Sequence, residues 1–346
     1  MIFSHQYKFF MIFNFLNIII FLILFVGKAH AAEYFETNSI NVINNGPINN
    51  LFQLTRPNIE PNHLTGAISL STQLELSNYI SSNLKQDESF FIDGETWVMR
   101  NNLSYQFSDN IIISASIPWY KHSGGKADSL IYNWHALFQL PQNGRTENNQ
   151  NKIRWLIKSN NQTLLDIDKK MTGWGDASIT AQLTPRISPS LRWTFMTKLP
   201  TGDYSDQTGS EKFDLGFALA QINPDWFKNR SILSDFQLSI WYGAGLSYLG
   251  ELKKLNELDQ KPYAFTLRAG VAYAPFDHWQ IKCQLDSQSP IYSTKIRELG
   301  WYPVLISFST MHKLTNKTSL EFGIVEDIRP RSGPDVIFQT RLDTTF

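Results

Sequence analysis

The stretch 335–346 constrains the fold of this chain most, because its residues alternate between two kinds of surface. A β-strand points successive side chains to opposite faces. One row here is largely apolar and ends on Phe346, and the other is mostly polar: Val336, Phe338, Thr340, Leu342, Thr344 and Phe346 against Asp335, Ile337, Gln339, Arg341, Asp343 and Thr345. A strand with lipid on one side and a wet lumen on the other has this pattern. We therefore interpret it as the closing strand of a transmembrane barrel.

The same alternation recurs from residue 65 onward and predicts twelve strands. The connections between them alternate in length, with short ones near 108–110, 185–189, 223–232, 275–278 and 314–317, and long ones near 80–90, 123–173, 200–212, 249–262, 289–300 and 327–334. Outer-membrane barrels have short periplasmic turns and long external loops. We predict an all-β fold, a transmembrane antiparallel up-and-down β-barrel over 63–346, with both of its ends in the periplasm.

The first 31 residues have the features of a signal peptide. Lys8 precedes an apolar run over 9–26, and Ala29-x-Ala31 fits the small-residue rule for cleavage near Ala31. The alternative is an uncleaved membrane anchor. No later stretch approaches 18 apolar residues, and an exported chain without a spanning helix crosses a membrane only as a closed barrel. The sequence therefore predicts a protein of the bacterial outer membrane.

Two stretches lack the strand pattern. Residues 32–62 are rich in Asn, Pro and Gly, which predicts an irregular segment that lies in the periplasm or inserts into the lumen. Residues 129–140 have the apolar spacing of a short amphipathic helix, and 152–158 with 163–167 can form a small hairpin. We therefore predict one long extracellular loop, 123–173, that carries a helix and folds into the mouth of the barrel or gates it.

The polar rows of the strands contain charges of both signs. They place these candidates in the lumen: Arg100, Asp176, Arg192, Lys198, Asp214, Arg268, Lys282, Asp286, Glu321, Arg341 and Asp343. One interpretation is a charged constriction that selects solutes. The other is a packed interior held by ion pairs. The Gly-Asp pairs at 175–176 and 202–203 similarly indicate either an acidic entrance or turns, in which Gly supplies positive φ and Asp caps.

Other classes of function lack support in the sequence. The formal net charge is zero, which gives no case for nucleic acid as a partner. The single cysteine, Cys283, lies on an apolar strand face and excludes a disulfide framework. Neither a G-x-S-x-G motif nor an H-E-x-x-H motif occurs. We expect no catalytic residue, no metal site and no cofactor.

Several motifs together resemble an uncharacterised outer-membrane β-barrel family of Gram-negative bacteria, catalogued as a domain of unknown function. They are Gly46-Pro47, Leu137-Phe138-Gln139-Leu140-Pro141, Gly173-Trp174-Gly175-Asp176, Leu199-Pro200-Thr201-Gly202-Asp203, Thr208-Gly209-Ser210, Phe213-Asp214-Leu215-Gly216, Phe322-Gly323, Glu326-Asp327 and Gly333-Pro334-Asp335-Val336. Two of these motifs are also similar to those of predicted outer-membrane transporters linked to the breakdown of aromatic compounds. The resemblance implies a fold and a location, and no substrate.

These observations predict an outer-membrane barrel that acts as a channel or facilitator for small solutes, with no particular solute indicated. The alternatives are a barrel that transports nothing and serves the envelope or surface interactions, and, third, an outer-membrane hydrolase. The expected partners are outer-membrane lipid and the barrel-assembly machinery, with Phe346 as the assembly signal. Thr344 stands where a second aromatic residue is often found.

Overall fold

The computed structural model of the chain describes residues 37–84, 88–137, 151–160, 162–223, 238–329 and 333–346. Fifteen strands occur in this part of the chain: β1 Ile68–Leu84, β2 Glu88–Ser108, β3 Ile111–Ser123, β4 Arg154–Ser159, β5 Gln162–Ile167, β6 Met171–Trp174, β7 Ser178–Leu183, β8 Leu191–Lys198, β9 Asp214–Asn223, β10 Leu238–Leu249, β11 Tyr263–Phe276, β12 Trp279–Gln288, β13 Val304–Lys313, β14 Thr318–Asp327 and β15 Val336–Thr345. All of them belong to one sheet.

Twelve of these strands close into a ring. Each pairs antiparallel with its neighbours from β1 through β2, β3 and β7 to β15, and β15 pairs back onto β1, with Leu70 opposite Thr344. The predicted twelve-stranded up-and-down barrel is confirmed. The other three strands extend its wall at one end: β4 and β5 form the predicted hairpin beside β2, and β6 pairs with β3. We call this the loop end and the opposite end, where the short turns lie, the turn end.

The predicted long connection at 80–90 is wrong. Strand β1 continues to Leu84 and β2 begins at Glu88, so the two form a hairpin that rises well beyond the rest of the wall. This extension is stabilised by burial, because Tyr79, Phe90 and Ile92 pack beneath the neighbouring loops. The predicted turn at 223–232 lies outside the described residues, apart from its first position.

The predicted loop helix is present as α1, Asp128–Leu137; positions 138–140 of the prediction lie outside the described residues. It packs against the outside of the wall, where Ala127 and Ile131 meet Val336 of β15. The carboxylate of Glu95 accepts hydrogen bonds from the amides of Lys126, at 3.3 Å, and Ala127, at 2.6 Å. These contacts place α1 beside the mouth of the barrel and not inside it.

The remaining helices are short and lie in loop-end connections. They are the 3-10 helices Asn49–Leu51 and Lys253–Leu258, and α2, Arg297–Gly300. None of the helices in the described ranges is both long and apolar enough to cross a bilayer.

The outer surface of the wall carries the apolar row of each strand. Large apolar side chains are exposed around it, among them Leu74, Leu103, Ile117, Ile179, Phe195, Leu219, Phe265, Leu285, Phe322 and Leu342. Aromatic residues mark both ends, as Tyr248 pairs with Tyr263 at the loop end and Trp279 with His312 at the turn end. An apolar band flanked by aromatic girdles is typical of a barrel in a lipid bilayer.

Candidate functional site

Residues 37–62, which we call the plug, lie inside the barrel as two arms joined by a tip. The arms run side by side, because the amide of Ser39 donates to the carbonyl of Ile59 at 3.1 Å and the amide of Ile59 donates to Oγ of Ser39 at 3.0 Å. At the turn end, Thr37 meets Ser239 on one side and Asn62 meets Thr184 on the other. The tip, around the 3-10 helix, reaches the loop end.

The wall supplies the hydrogen bonds that the irregular plug cannot make internally. The side chain of Gln284 pairs with the backbone of Ile40. Oε1 of Gln284 accepts from the amide of Ile40 at 3.0 Å, and Nε2 of Gln284 donates to the carbonyl of Ile40 at 2.8 Å. Thr55 is held in the same way by the hydroxyls of Ser247 and Thr266. Buried backbone groups need such partners. Polar side chains on the inner rows of β10, β11 and β12 therefore hold the plug in an extended form.

The predicted lumen charges face inward, and most of them pair with one another. Arg268 lies 2.7 Å from Asp286, Lys282 lies 3.1 Å from Glu321, and Arg341 lies 2.8 Å from Asp343. Plug asparagines complete two of these pairs, because Asn58 bonds Arg268 and Asn38 bonds Lys282. Arg192 instead donates to the carbonyls of Pro189 and Leu191 at the turn end. Much of the interior is thus packed and ion-paired.

Lys198 is the centre of a cluster that we call the clasp: Lys198, Asp176, Asp214, Ser210 and the carbonyl of Leu51. The Lys198 ammonium lies 2.7 Å from Asp176 and 3.1 Å from Asp214, and it also bonds Ser210. It donates to the carbonyl of Leu51 at 3.2 Å. Three motifs that are separate in the sequence therefore meet at one buried cation that also holds the tip of the plug.

The two Gly-Asp pairs have different roles in this arrangement. Asp176 is buried and accepts from the amides of Gly202, at 2.8 Å, and Ser210, at 3.0 Å, which ties the 200–212 loop to the wall. Asp203 lies in an exposed turn, where hydrogen bonds from the hydroxyl and the amide of Ser205 lower the pKa of its carboxyl. A Cβ on Gly202 would approach the Asp176 amide to 2.9 Å, so the close packing requires glycine there.

An apolar cluster closes the loop end above the clasp. We call it the loop-end cluster; it joins the plug tip to the upper hairpins and three loops through Ile48, Leu51, Phe52, Leu54, Tyr79, Phe90, Ile92, Ile153, Trp155, Ile157, Leu165, Ile167, Met171, Leu249, Leu252, Leu255, Leu258, Ala264, Ile291, Tyr292, Ile296 and Leu299. Leu51 is fully buried and Phe52 nearly so. The plug tip therefore seals the mouth on the loop side.

Two cavities that share lining residues remain beside the plug, bordered by strands β13, β14, β15, β1, β2, β3, β7 and β8. The first is a vestibule of about 760 Å³ at the turn end, bounded by Glu60 of the plug, by His63 directly after it and by the ends of the strands. The second is an inner chamber of about 110 Å³ between the plug arms and the wall. Both are lined by Glu60, Ser71, Asn102 and Arg341, which we call the constriction. Strand register places Ser71 opposite Asn102 and beside the β15 seam.

A family model described as "Protein of unknown function (DUF3187)" matches residues 15–346. The chain belongs to this family. The resemblance drawn from the motifs to an uncharacterised family of barrels is thereby confirmed.

A solved outer-membrane channel shares the fold of this DUF3187 member. The crystal structure of the COG4313 outer membrane channel from Pseudomonas putida F1 has a TM-score of 0.54 and 13% identity, over 83% of this chain and 100% of that chain. NanC porin has a TM-score of 0.43 and 8% identity over 80% and 98% of the two chains. The Ralstonia pickettii toluene transporter TbuX has a TM-score of 0.39 and 8% identity, over 82% of this chain and 89% of that chain. No curated protein matches the sequence.

Three histidines of this DUF3187 chain, His122, His278 and His312, have structural contacts. His122 is fully buried, where Nδ1 is hydrogen-bonded to Thr96 at 2.8 Å and Nε2 donates to the carbonyl of Gln207 at 3.1 Å. His278 and His312 lie together at the turn end. Within the described residues, no three His, Cys, Asp or Glu side chains are grouped so that they could hold a metal ion.

The residues that the sequence did not single out belong mostly to the plug. Arg56 and Glu60 line the cavities, and Asn45 bonds Glu75 on the wall. Strand periodicity cannot find such residues, because the plug is neither strand nor helix over most of its length. The density of Asn in this segment was the only signal, since amide side chains can satisfy irregular backbone and buried charges.

Proposed function

We propose that this protein is an outer-membrane channel for small polar solutes, with the plug as its gate. The observation that carries the proposal is the constriction, whose four residues line both a wide vestibule and an inner chamber along one side of the lumen. The lining is polar and includes charges of both signs, as in pores that select by charged rings. We further propose that the chain reaches the outer membrane after cleavage near Ala31, with its turn end in the periplasm.

The way the plug is attached supports a gating role. Its arms are held by hydrogen bonds from single wall side chains and by two small apolar clusters, at Ile40 with Val42 and at Ile59, while its largest apolar cluster lies at the tip. A hydrogen bond of this kind contributes only about 0.5–1.5 kcal/mol, because water replaces it when it breaks. Release of the tip would let the arms move and extend the path from the chamber to the loop end.

A reversible tether tests whether the plug moves. The hydroxyls of Thr37 and Ser239 are 3.1 Å apart, so cysteines at both positions can approach disulfide geometry. In a Thr37→Cys/Ser239→Cys/Cys283→Ser variant, oxidation should lower single-channel conductance in planar bilayers, and reduction should restore it. Removing Cys283 avoids mispairing, since it is the only native cysteine.

The variant Thr37→Cys/Cys283→Ser controls for the substitutions alone, and its conductance should be the same under both redox conditions. Equal conductance of the oxidised and reduced double-cysteine protein, with the disulfide shown by mass spectrometry, would contradict gating by this arm.

The second candidate function is a barrel that transports nothing and acts through its external surface. The loop-end cluster favours it, because the plug tip packs there into the largest apolar cluster of the described residues. The two functions differ in one measurement: a non-transporting barrel shows no conductance steps and no solute uptake by liposomes, whether the plug is tethered or free.

Phe346 provides a test of assembly. Its side chain is 68% exposed, and its amide donates to the carbonyl of Ile68 at 2.8 Å, so it contributes little to packing. We propose that it is read by the barrel-assembly machinery. Its deletion should therefore reduce the amount of heat-modifiable barrel in outer-membrane fractions, while refolding of the purified chain into detergent stays unchanged. Removal of the exposed Phe276, as Phe276→Ala, is the control.

A further inference from the structure

The inner chamber has an unusual lining for a space between a plug and a wall. Three guanidinium groups border it, from Arg56 on the plug, Arg100 on β2 and Arg341 on β15, and Glu60 is the one acid on its lining. The rest of its polar lining comes from amides and hydroxyls: Ser39, Asn41, Gln53, Thr55, Asn58, Ser71, Asn102, Ser116, Ser178, Thr180 and Thr194. The lining is therefore rich in hydrogen-bond donors.

Two of these arginines have donor atoms without a hydrogen-bond partner among the described residues. Arg100 is 5% exposed, and its Nε and Nη2 atoms have no hydrogen-bond partner in the described part of the chain. Its ion pair with Glu75 is long, at 3.7 Å between Nε and Oε1. Buried donors without partners are costly, and their presence calls for a ligand or ordered water.

Arg341 is held so that one edge of its guanidinium faces the cavities. Its Nε donates to Oγ of Ser71 at 3.0 Å and to Oδ1 of Asp343 at 2.8 Å. Its two Nη atoms make no hydrogen bond to any residue that the structure describes. A guanidinium fixed through Nε presents its two Nη donors as a fork, the geometry that binds carboxylate or phosphate oxygens in a bidentate way.

Arg56 adds positive charge, and two of its donor atoms are already used. It donates to the carbonyl of Leu54 at 3.2 Å and to Gln288 at 3.4 Å. The chamber has room for more than one water molecule, since a water needs about 10–15 Å³ of such space. A small anion therefore fits by volume, and the lining offers it unused donors on two sides.

We propose that the inner chamber is a binding site for small oxyanions, carboxylate or phosphate, held by Arg100 and Arg341. The inference rests on the proposed function in that it names the class of solute that would reach the constriction from the vestibule. The site itself needs no conduction to be occupied. Glu60 opposes the anion and sets a limit on its affinity, which suits a site from which a solute must also leave.

Isothermal titration calorimetry of the full-length protein in detergent micelles tests the site, with sodium acetate and sodium phosphate as probes. Sodium chloride at matched ionic strength and methylammonium chloride are the reference titrations. Binding of either oxyanion, with no heat from methylammonium, supports the proposal, and acetate against phosphate tells which oxyanion the site accepts. No binding of acetate or phosphate to the wild-type protein would overturn it.

Substitutions locate the binding. Arg341→Gln and Arg100→Gln should each weaken oxyanion affinity about tenfold, because each removes charge-assisted donors. Glu60→Gln should strengthen it, because it removes the opposing charge. Arg186→Gln, in an exposed turn, is the matched control and should leave the affinity unchanged. If Arg100→Gln does not fold, the affinities of Arg341→Gln and Glu60→Gln decide whether the inner chamber is the binding site.

Unchanged affinity in both Arg341→Gln and Glu60→Gln, or an equal loss in Arg186→Gln, would place binding elsewhere and overturn the assignment. The channel proposal fails separately, through an absence of conductance. Oxyanion binding without conductance would leave the site standing and remove the transport role.

Discussion

Replacing Lys198 with methionine is expected to lower the free energy of unfolding of the barrel by about 3–5 kcal/mol. Lys198 is fully buried, and its ammonium is the only cation within 4 Å of both Asp176 and Asp214 among the described residues. Removing it leaves two carboxylates without water and without a counter-charge. The effect is measured by urea unfolding in detergent micelles, followed by tryptophan fluorescence.

Two further variants separate the loss of the buried ion pair from the loss of a lysine. Lys254→Met breaks the exposed pair with Glu211, whose side chains are 49% and 42% exposed, and should cost less than about 1 kcal/mol. Lys198→Met/Asp214→Asn should recover part of the loss, because one orphaned carboxylate becomes a neutral amide. A loss for Lys198→Met no larger than that for Lys254→Met would show that the clasp does not stabilise the fold.

Replacing Leu51 with aspartate is expected to open the loop end and raise single-channel conductance. Leu51 is fully buried in the loop-end cluster at the tip of the plug. A carboxylate there costs several kcal/mol unless the tip leaves the cluster. Each ~1.4 kcal/mol shifts the balance between seated and released tips about tenfold. The open probability in planar bilayers should therefore rise at least about tenfold.

Ile187→Asp is the matched control, because Ile187 is 98% exposed in a turn. Its conductance should equal that of the wild-type barrel. Unaltered conductance in a folded Leu51→Asp protein, with folding verified by heat-modifiable mobility on gels, would exclude the tip as the seal.

The architecture of the barrel follows from local patterns, and the sequence therefore predicts it well. The alternation in β15 predicts an exposed Leu342, and the structure has it 42% exposed on the outer surface. Short turns such as 314–317 join antiparallel neighbours, so order along the chain becomes order in the sheet. Such patterns are readable because the side-chain period of a strand is two and lipid demands an apolar row.

The structure differs from the sequence-based prediction where residues are buried by distant parts of the chain. The long β1–β2 hairpin forms because Trp155 and its neighbours cover it. Helix α1 lies outside the barrel because it packs there against the apolar side chain of Val336. The pairing of Lys198 with Asp214 follows from strand register, but its contact with Leu51 depends on the path of the plug. No local pattern contains this information.

The sequence by itself therefore determined the class of fold, the number of strands that close the barrel and which wall residues face inward. Only the tertiary structure decided what the inward-facing charges do. A period of two places Arg100, Arg268 and Arg341 in the lumen alike, yet Arg268 is bound by Asp286 and by Asn58 of the plug, whereas Arg100 and Arg341 line the inner chamber. The reason is physical. The side of the wall to which a side chain points is set by its own strand, but the partners of a buried charge come from every element that packs around it.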